Sequence, residues 1–439
     1  MLLGSAAPSL ALTTDKVASD NIDALKIYSP TIEAPLRCSV GSSPSTPPAP
    51  AVPQGTYVHA SAPSRIDLAG GWTDTMPITH EHGGKVVNVA IRVNSKAPYK
   101  VKARRTEALI LSLSYDASIP AKHYHSLEQI RDHADPLVPC ALLKACIVAS
   151  GILGITATRH DQVPYKTLAE VLKYSGGGLE LIVRSTLPVG SGMGTSSILA
   201  AAILAVLKTL KGESYTTDEL IYLTLEVEQM MNTGGGWQDQ IGGILPGFKV
   251  STCQLGLPIQ ITATSLELSN DFIQQFDSRM LLIYTGQTRL AKNLLQAVLM
   301  NWTGRDPEVV DTMHRLVSDA TLSEDALKHG DISTVGAVLS RYFKDKRFLS
   351  DTTLDHPPMV GKLLFHLAPY IEGASLAGAG GGGFLTALLK HGVDREDVVS
   401  TVKAAMRSET SQEEQDLMWA WNATVDTKGL IVQIGSECP

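Results

Sequence analysis

At 439 residues the chain exceeds one ordinary domain, and with 44% hydrophobic residues it can bury a large core. Lys and Arg number 37 against 44 Asp and Glu, a net charge of −7, which excludes a nucleic acid partner held mainly by phosphate contacts. The five cysteines, at 38, 140, 146, 253 and 438, lack CxxC spacing, so neither a disulfide framework nor a zinc site is indicated and a reducing, cytoplasmic setting is expected. No apolar run reaches transmembrane length, and no membrane partner is expected.

Residues 36–55 are dense in Pro and Ser and have little to bury, so residues 1–55 are expected to form a disordered arm, with structure beginning near Thr56. From there TYVHASAPSRIDLAGG, KVVNVAIRVNSKAPYKVKARR and LILSLSY alternate apolar residues with turn formers, a β-rich beginning. Residues 136–151 read as a helix, LELIVRSTLPVG as a strand, 196–210 and 217–232 as helices, and ILPGFKVSTCQ and ITATSLEL as strands. SRMLLIYTG then reads as a strand, helical stretches follow to about 370, SLAGAGGGGFLTALLK gives strand, glycine loop and strand, and a helix near 394–407 closes the pattern. The expectation is an α+β chain of two lobes, residues 56–260 and 261–439.

The segment PVGSGMGTSS, residues 188–197, stands directly ahead of the apolar, alanine-rich helix. Glycine permits close backbone approach, and a helix N-terminus offers free N–H groups and a favourable dipole, so this loop reads as a phosphate cradle with hydroxyls from Thr195, Ser196 and Ser197. A plain strand-to-helix turn capped by Thr195 or Ser196 reads equally well from this loop alone. Neither GxxxxGK[ST] nor a GxGxxG with an acidic ribose partner is present, so Walker and Rossmann chemistry are not expected.

Three more segments decide between the readings: APSRIDLAGGWTDT at 62–75, LEVEQMMNTGGGWQDQIGG at 225–243, and GAGGGGF at 378–384. In this order, over about 56–390, the set resembles the GHMP kinases, small-molecule kinases that include galactokinase, homoserine kinase and mevalonate kinase. PVGSGMGTSS matches the family's Pro-x-x-x-Gly-Leu/Met-Gly-Ser-Ser loop, with Thr195 in a usual serine place, and GAGGGGF matches its third motif. RIDLAGGWTDT followed by EHGGKVVNVAI looks most like the L-fucokinases and the bacterial heptose-phosphate kinases, and Trp72 tips the resemblance towards the former. Fucokinases of this kind usually carry a long nucleotidyltransferase-like part ahead of the kinase, so the resemblance implies a kinase part alone or a truncated product.

The resemblance implies a two-lobed fold with the active site between the lobes, ATP as co-substrate, Mg²⁺ as cofactor and a small-molecule sugar as acceptor; it leaves the oligomeric state open. It puts the catalytic acidic residue at Asp239, able to accept a proton from the sugar's anomeric hydroxyl, and beside it Arg65, whose charge would stabilise developing negative charge. Asp74 corresponds to the sugar-hydroxyl ligand, with Gly71 and Trp72 next to it. The nucleotide is expected on Pro188, Gly190, Ser191, Gly192, Met193, Gly194, Thr195, Ser196 and Ser197, buttressed by Gly380 and Gly381. The metal is expected on Ser196 and Glu228, hard oxygen ligands of the kind Mg²⁺ prefers. Glu226 competes with Glu228, but two positions apart on a helix they face different sides, and spacing from Asp239 selects Glu228. His80 and His82 lack a third ligand and read as a solvated loop. The activity implied is phosphorylation of L-fucose at its anomeric hydroxyl, a heptose 7-phosphate or galactose kinase and a silent sugar-sensing relative being the alternatives.

Overall fold

The computed structural model describes residues 52–153, 167–188, 190–286, 291–350, 358–378, 382–407, 409–410 and 419–435. The first half contains β1 (Val58–Ala62), β2 (Ser64–Ala69), α1 (Ile78–His82), β3 (Gly84–Val93), β4 (Tyr99–Thr106), β5 (Leu111–Ser114), β6 (Lys122–Tyr124), α2 (Glu128–Arg131), α3 (Ala141–Ala149) and α4 (Leu168–Tyr174). It continues through β7 (Gly178–Ser185), α5 (Thr195–Lys211), α6 (Thr217–Met230), α7 (Gln238–Ile244), β8 (Phe248–Cys253) and β9 (Ile261–Ser265). Next come α8 (Asn270–Arg279), β10 (Met280–Tyr284), α9 (Ala291–Thr303), α10 (Pro307–Lys328), α11 (Ile332–Leu349) and α12 (Pro358–Leu367). The last elements are β11 (Ile371–Leu376), β12 (Phe384–Leu389), α13 (Arg395–Arg407), β13 (Trp419–Trp421), β14 (Ala423–Val425) and β15 (Ile431–Ile434).

Three sheets organise these elements. The first runs β15-β1-β4-β7-β5-β6, antiparallel except for the parallel pair β5 and β7. The second runs β14-β3-β8-β9, with β2 also paired to the long strand β3, and the third runs β11-β12-β10-β13. In β4 the residues Tyr99, Val101, Ala103 and Arg105 are buried while Lys100 is exposed, the period-2 pattern of a sheet with one covered face. Helix α5 is buried from Ser197 to Ala205 on every side, as befits a helix that packs on β1, β4, α3, α6 and α7 at once. Its small residues, Ala200, Ala201, Ala202 and Ala205, allow those neighbours to approach.

Helix α6 begins at a capping box, Thr216 accepting from the Glu219 amide while the Glu219 carboxylate accepts from the Thr216 amide. Helices α10 and α11 pack on each other, α10 also covering β2 and β3, and α11 covering β2 and β11. This packing sets β2 between α7 and α11, with α5 on the far side of α7.

The α+β composition expected from the sequence is what the structure has. The helix expected over 136–151 starts only at Ala141, and Ser278 and Arg279, read as the start of a strand, belong to α8. That helix buries only Phe272 and Phe276, whose rings meet Phe248 at 5.8 and 4.9 Å. Strands β13 to β15 were not anticipated at all, because runs of three and four residues carry too little alternation to register.

Candidate active site

Gly194 caps α5 in the left-handed region with φ 73°, and no side chain takes the capping position, so the first amides of the helix keep their donors. The Thr195 or Ser196 cap that would make this an ordinary turn is therefore not formed. Three side chains grip the loop by its carbonyls: Ser64 Oγ donates to Met193 O at 2.9 Å, Tyr99 OH to the same oxygen at 3.1 Å, and Arg65 Nη1 to Gly192 O at 2.9 Å. Thr195 Oγ1 lies 3.0 Å from Tyr99 OH, Ser197 is buried, and Ser196 is exposed at the mouth of the helix. Pro188 is half-buried ahead of Gly190, and Ser191 is buried with its hydroxyl unpartnered.

The late glycine segment lies against this loop. Phe384 N donates to Ser191 O at 3.3 Å, and a Cβ on Gly378 would stand 2.9 Å from Gly192 Cα, a separation that only hydrogen at that position tolerates. Gly380 and Gly381, expected to buttress the nucleotide, lie outside the described residues.

Arg65 on β2 and Asp239 on α7 meet face to face. Arg65 Nε and Nη2 both donate to Asp239 Oδ1, at 3.0 and 2.6 Å, and the Asp239 side chain keeps 27% exposure while that of Arg65 keeps 2%. Burial by itself would weaken the Arg65 charge, but Asp239 and then Asp67 outweigh it and the guanidinium pKa is raised. Asp67 Oδ1 also lies 3.0 Å from Arg65 Nε, yet that N–H is aimed at Asp239, and neither Asp67 oxygen has a hydrogen-bond partner. Burial lifts the Asp67 pKa to about 6 against the opposing pull of Arg65.

Asp74 is buried in the turn after β2. Its Oδ2 accepts from the Gln238 amide at 3.2 Å, its Oδ1 has no partner, and burial, then the charge of Asp239, raises its pKa to about 7. Gly236 packs so closely on Asp74 Oδ2 that any side chain there would collide with it. Gly71 and Trp72 occupy the same turn, Trp72 at φ 77° and with its indole nitrogen unpartnered. Gln238 Oε1 and Asn88 Oδ1 are likewise buried without partners. Native interiors rarely leave such groups orphaned, so these unpartnered atoms mark a place where polar ligand atoms fit.

Glu228 on α6 turns its carboxylate to the start of α5. Its Oε1 accepts from Ser197 Oγ at 2.7 Å and from Ser196 Oγ at 3.3 Å, and its Oε2 accepts from Thr233. Carboxylate and hydroxyl oxygens at one helix mouth are a donor set that suits Mg²⁺. Glu226 is half-buried two positions earlier. His82 Nε2 lies 3.0 Å from His314 Nδ1 on α10, and no cluster of three or more metal-ligating side chains occurs among the described residues. His80 and His82 sit on α1, a short helix, where a loop was expected.

The site thus unites residues separated by more than 170 positions: Arg65, Asp74, Gly192, Ser196, Glu228 and Asp239. Sequence reasoning missed Asp67, Tyr99 and Gln238, and also Lys346 on α11, which donates to the carbonyl of Gly378 beside the phosphate loop. Asp67 and Gln238 stood inside quoted motifs and could have been found there, whereas nothing local distinguishes Lys346 from a solvated lysine.

Residues 162–247, which include the phosphate loop, α5, α6 and α7, match the family described as GHMP kinases N terminal domain. The chain is 32% identical over 328 residues, 75% of its own length and 29% of the relative's, to the bifunctional fucokinase/GDP-fucose pyrophosphorylase of Arabidopsis thaliana. It is 31% identical over 333 residues, 76% of its length and 34% of the relative's, to the L-fucokinase/L-fucose-1-P guanylyltransferase of Bacteroides fragilis. The chain therefore spans about a third of the length of these two relatives. A crystal structure of a D-glycero-D-manno-heptose 1-phosphate kinase from Bacteriodes thetaiotaomicron superposes with a TM-score of 0.60 at 17% identity, covering 86% of this chain and 98% of the other. No described helix is long and apolar enough to cross a membrane. The profile match places a GHMP kinases N terminal domain at residues 162–247, and the described chain shares its fold with GHMP sugar kinases.

Proposed function

We propose that the chain is an ATP-dependent sugar 1-kinase that phosphorylates the anomeric hydroxyl of L-fucose, giving L-fucose 1-phosphate and ADP. The observation that carries this reading is the Arg65–Asp239 pair, Arg65 buried and Asp239 partly open to solvent, set against a glycine loop at the N-terminus of α5. Asp239 takes the proton of the anomeric hydroxyl as that oxygen bonds to the γ-phosphorus, and the bond to the ADP oxygen breaks. Arg65 holds the Asp239 carboxylate in place and, through Gly192 O, ties the loop that receives the phosphates to the base. The amides of 195–197 donate to phosphate oxygens, with the helix dipole favouring their charge.

Mg²⁺, when bound, neutralises charge on the nucleotide phosphates, and Glu228 with Ser196 and Ser197 would hold it. Asp74 Oδ1 and Gln238 Oε1 accept sugar hydroxyls, and Trp72 Nε1 donates to one. The choice of L-fucose rests on the two fucokinase-bearing relatives, both longer than this chain.

A panel of sugars with ATP and Mg²⁺, read as ADP release, tests the reading. L-Fucose should lead. D-Arabinose, lacking the C6 methyl, should lose about 10- to 200-fold in kcat/KM, and L-galactose, with an added hydroxyl, about 100-fold. D-Galactose, which misplaces the hydroxyls for Asp74, should sit near background. If D-galactose or a heptose 7-phosphate outruns L-fucose, the substrate assignment is wrong while the kinase reading stands.

A further inference from the structure

Lys346, on α11, is 1% exposed, yet the reaction as derived gives it no task. Its Nζ donates to Leu376 O at 2.6 Å and to Gly378 O at 3.1 Å, and lies 4.2 Å from the centre of the Tyr342 ring. Burying an ammonium is costly unless it is fully coordinated, and burial does depress this one, to about 7, against the supporting charge of Asp67. A leucine or methionine would fill the same space at no such cost. The cation is spent on two carbonyls of one turn, and that turn is the one whose Gly378 abuts Gly192 of the phosphate loop.

A symmetry of roles follows. Arg65 holds the phosphate loop by Gly192 O, Lys346 holds the opposing turn by Leu376 O and Gly378 O, and the two turns touch. Both cations, and with them the buried Lys249, act on the same buried carboxylate, Asp67, which lies 3.0 Å from Arg65 Nε and whose own oxygens have no hydrogen-bond partner. Asp67 thereby supplies negative charge that lets these cations coexist behind the site.

We propose that Lys346 is a positioning residue for the nucleotide: by fixing the carbonyls of Leu376 and Gly378 it sets the surface on which the phosphate loop rests, and Asp67 is the counter-charge that keeps it there. The inference rests on the kinase reading. A buried lysine serving stability alone would predict a different result, because its loss would lower the melting temperature and leave nucleotide affinity in the folded protein unchanged.

The test uses the full chain, Lys346→Met and Lys346→Gln, titrated with Mg²⁺ and a non-hydrolysable ATP analogue by calorimetry, well below each protein's melting temperature. The methionine variant, close in shape but without donors, should raise Kd about 10-fold or more. The glutamine variant keeps two N–H donors and should recover most of that loss. KM for the sugar should change less than about twofold in both, since Lys346 reaches no sugar-facing atom. Wild-type affinity in the methionine variant, whatever its melting temperature, overturns the inference alone. Should methionine not fold, unaltered nucleotide affinity in Asp67→Asn overturns it as well. A wild-type chain that binds no nucleotide overturns the kinase reading and this inference together.

Discussion

Asp74 is held where water does not reach, and its carboxyl binds a proton more tightly in the native state, with a pKa of about 7, than in the unfolded chain at 3.8. A raised native value means that its contribution to stability is complete below the unfolded pKa and is lost as pH rises through about 7. Asn at this position cannot lose that contribution. Asp74→Asn should therefore match the parent in thermal stability near pH 4 and exceed it at pH 8 by about 1 to 3 kcal/mol, while sugar affinity falls. Melting curves at the two pH values check the sign; a gap that does not widen between them would show that Asp74 is not buried as charge. Asp239 makes the opposite trade, open enough to meet a substrate and fixed by two bonds to Arg65. Asp239→Asn should keep fold and nucleotide affinity and lower kcat by about 10²- to 10⁴-fold, the usual worth of a positioned base. Near-normal turnover would remove it from the chemistry.

At the scale of elements, α6 offers two carboxylates and turns only Glu228 to the hydroxyls of Ser196 and Ser197. Glu228→Gln should raise the Mg²⁺ concentration for half-maximal rate and Glu226→Gln should not, measured by varying Mg²⁺ at saturating ATP; the reverse pattern would move the ligand. The packing of α7 on α5 rests on Gly243, where an added Cβ would stand 2.5 Å from Ile198 Cγ2. Gly243→Ala should cost about 1 to 3 kcal/mol by overpacking, and Ile198→Ala in the same chain should cost less than the two single changes summed. Urea unfolding of the four proteins measures that coupling, and strict additivity would mean that the helices do not meet there. These positions were legible in the sequence because phosphate binding and proton transfer each demand particular residue types at fixed spacings, as in PVGSGMGTSS and GGGWQDQIGG. Lys346 was not, since it lies in RYFKDKRFL, where basic residues recur as on any solvated helix face and only tertiary packing buries one of them. The failure at α8 has a similar cause: two phenylalanines four apart are all that its apolar face contains, and what they pack on lies twenty-odd residues earlier, on β8.

Across the whole molecule, the three strands the sequence concealed each join a different sheet: β13 pairs β10, β14 pairs β3 and β15 pairs β1. Without them β1 and β10 would each present an unpaired edge, and β3 would lose its pairing with β14 over 91–93. A chain ended after Arg407 should therefore aggregate or remain unfolded, read by size-exclusion chromatography and circular dichroism; a soluble monomer with the parent's melting temperature would show the strands to be ornamental. The same arrangement bears on the order of events during synthesis. A ribosome that has delivered the phosphate loop, Asp239 and every described helix has still to deliver one edge strand of each sheet, so the nascent chain carries an open edge in all three until β13, β14 and β15 emerge. Pairings across more than 300 positions close late and slowly, and such a chain depends on protection from its neighbours while it waits.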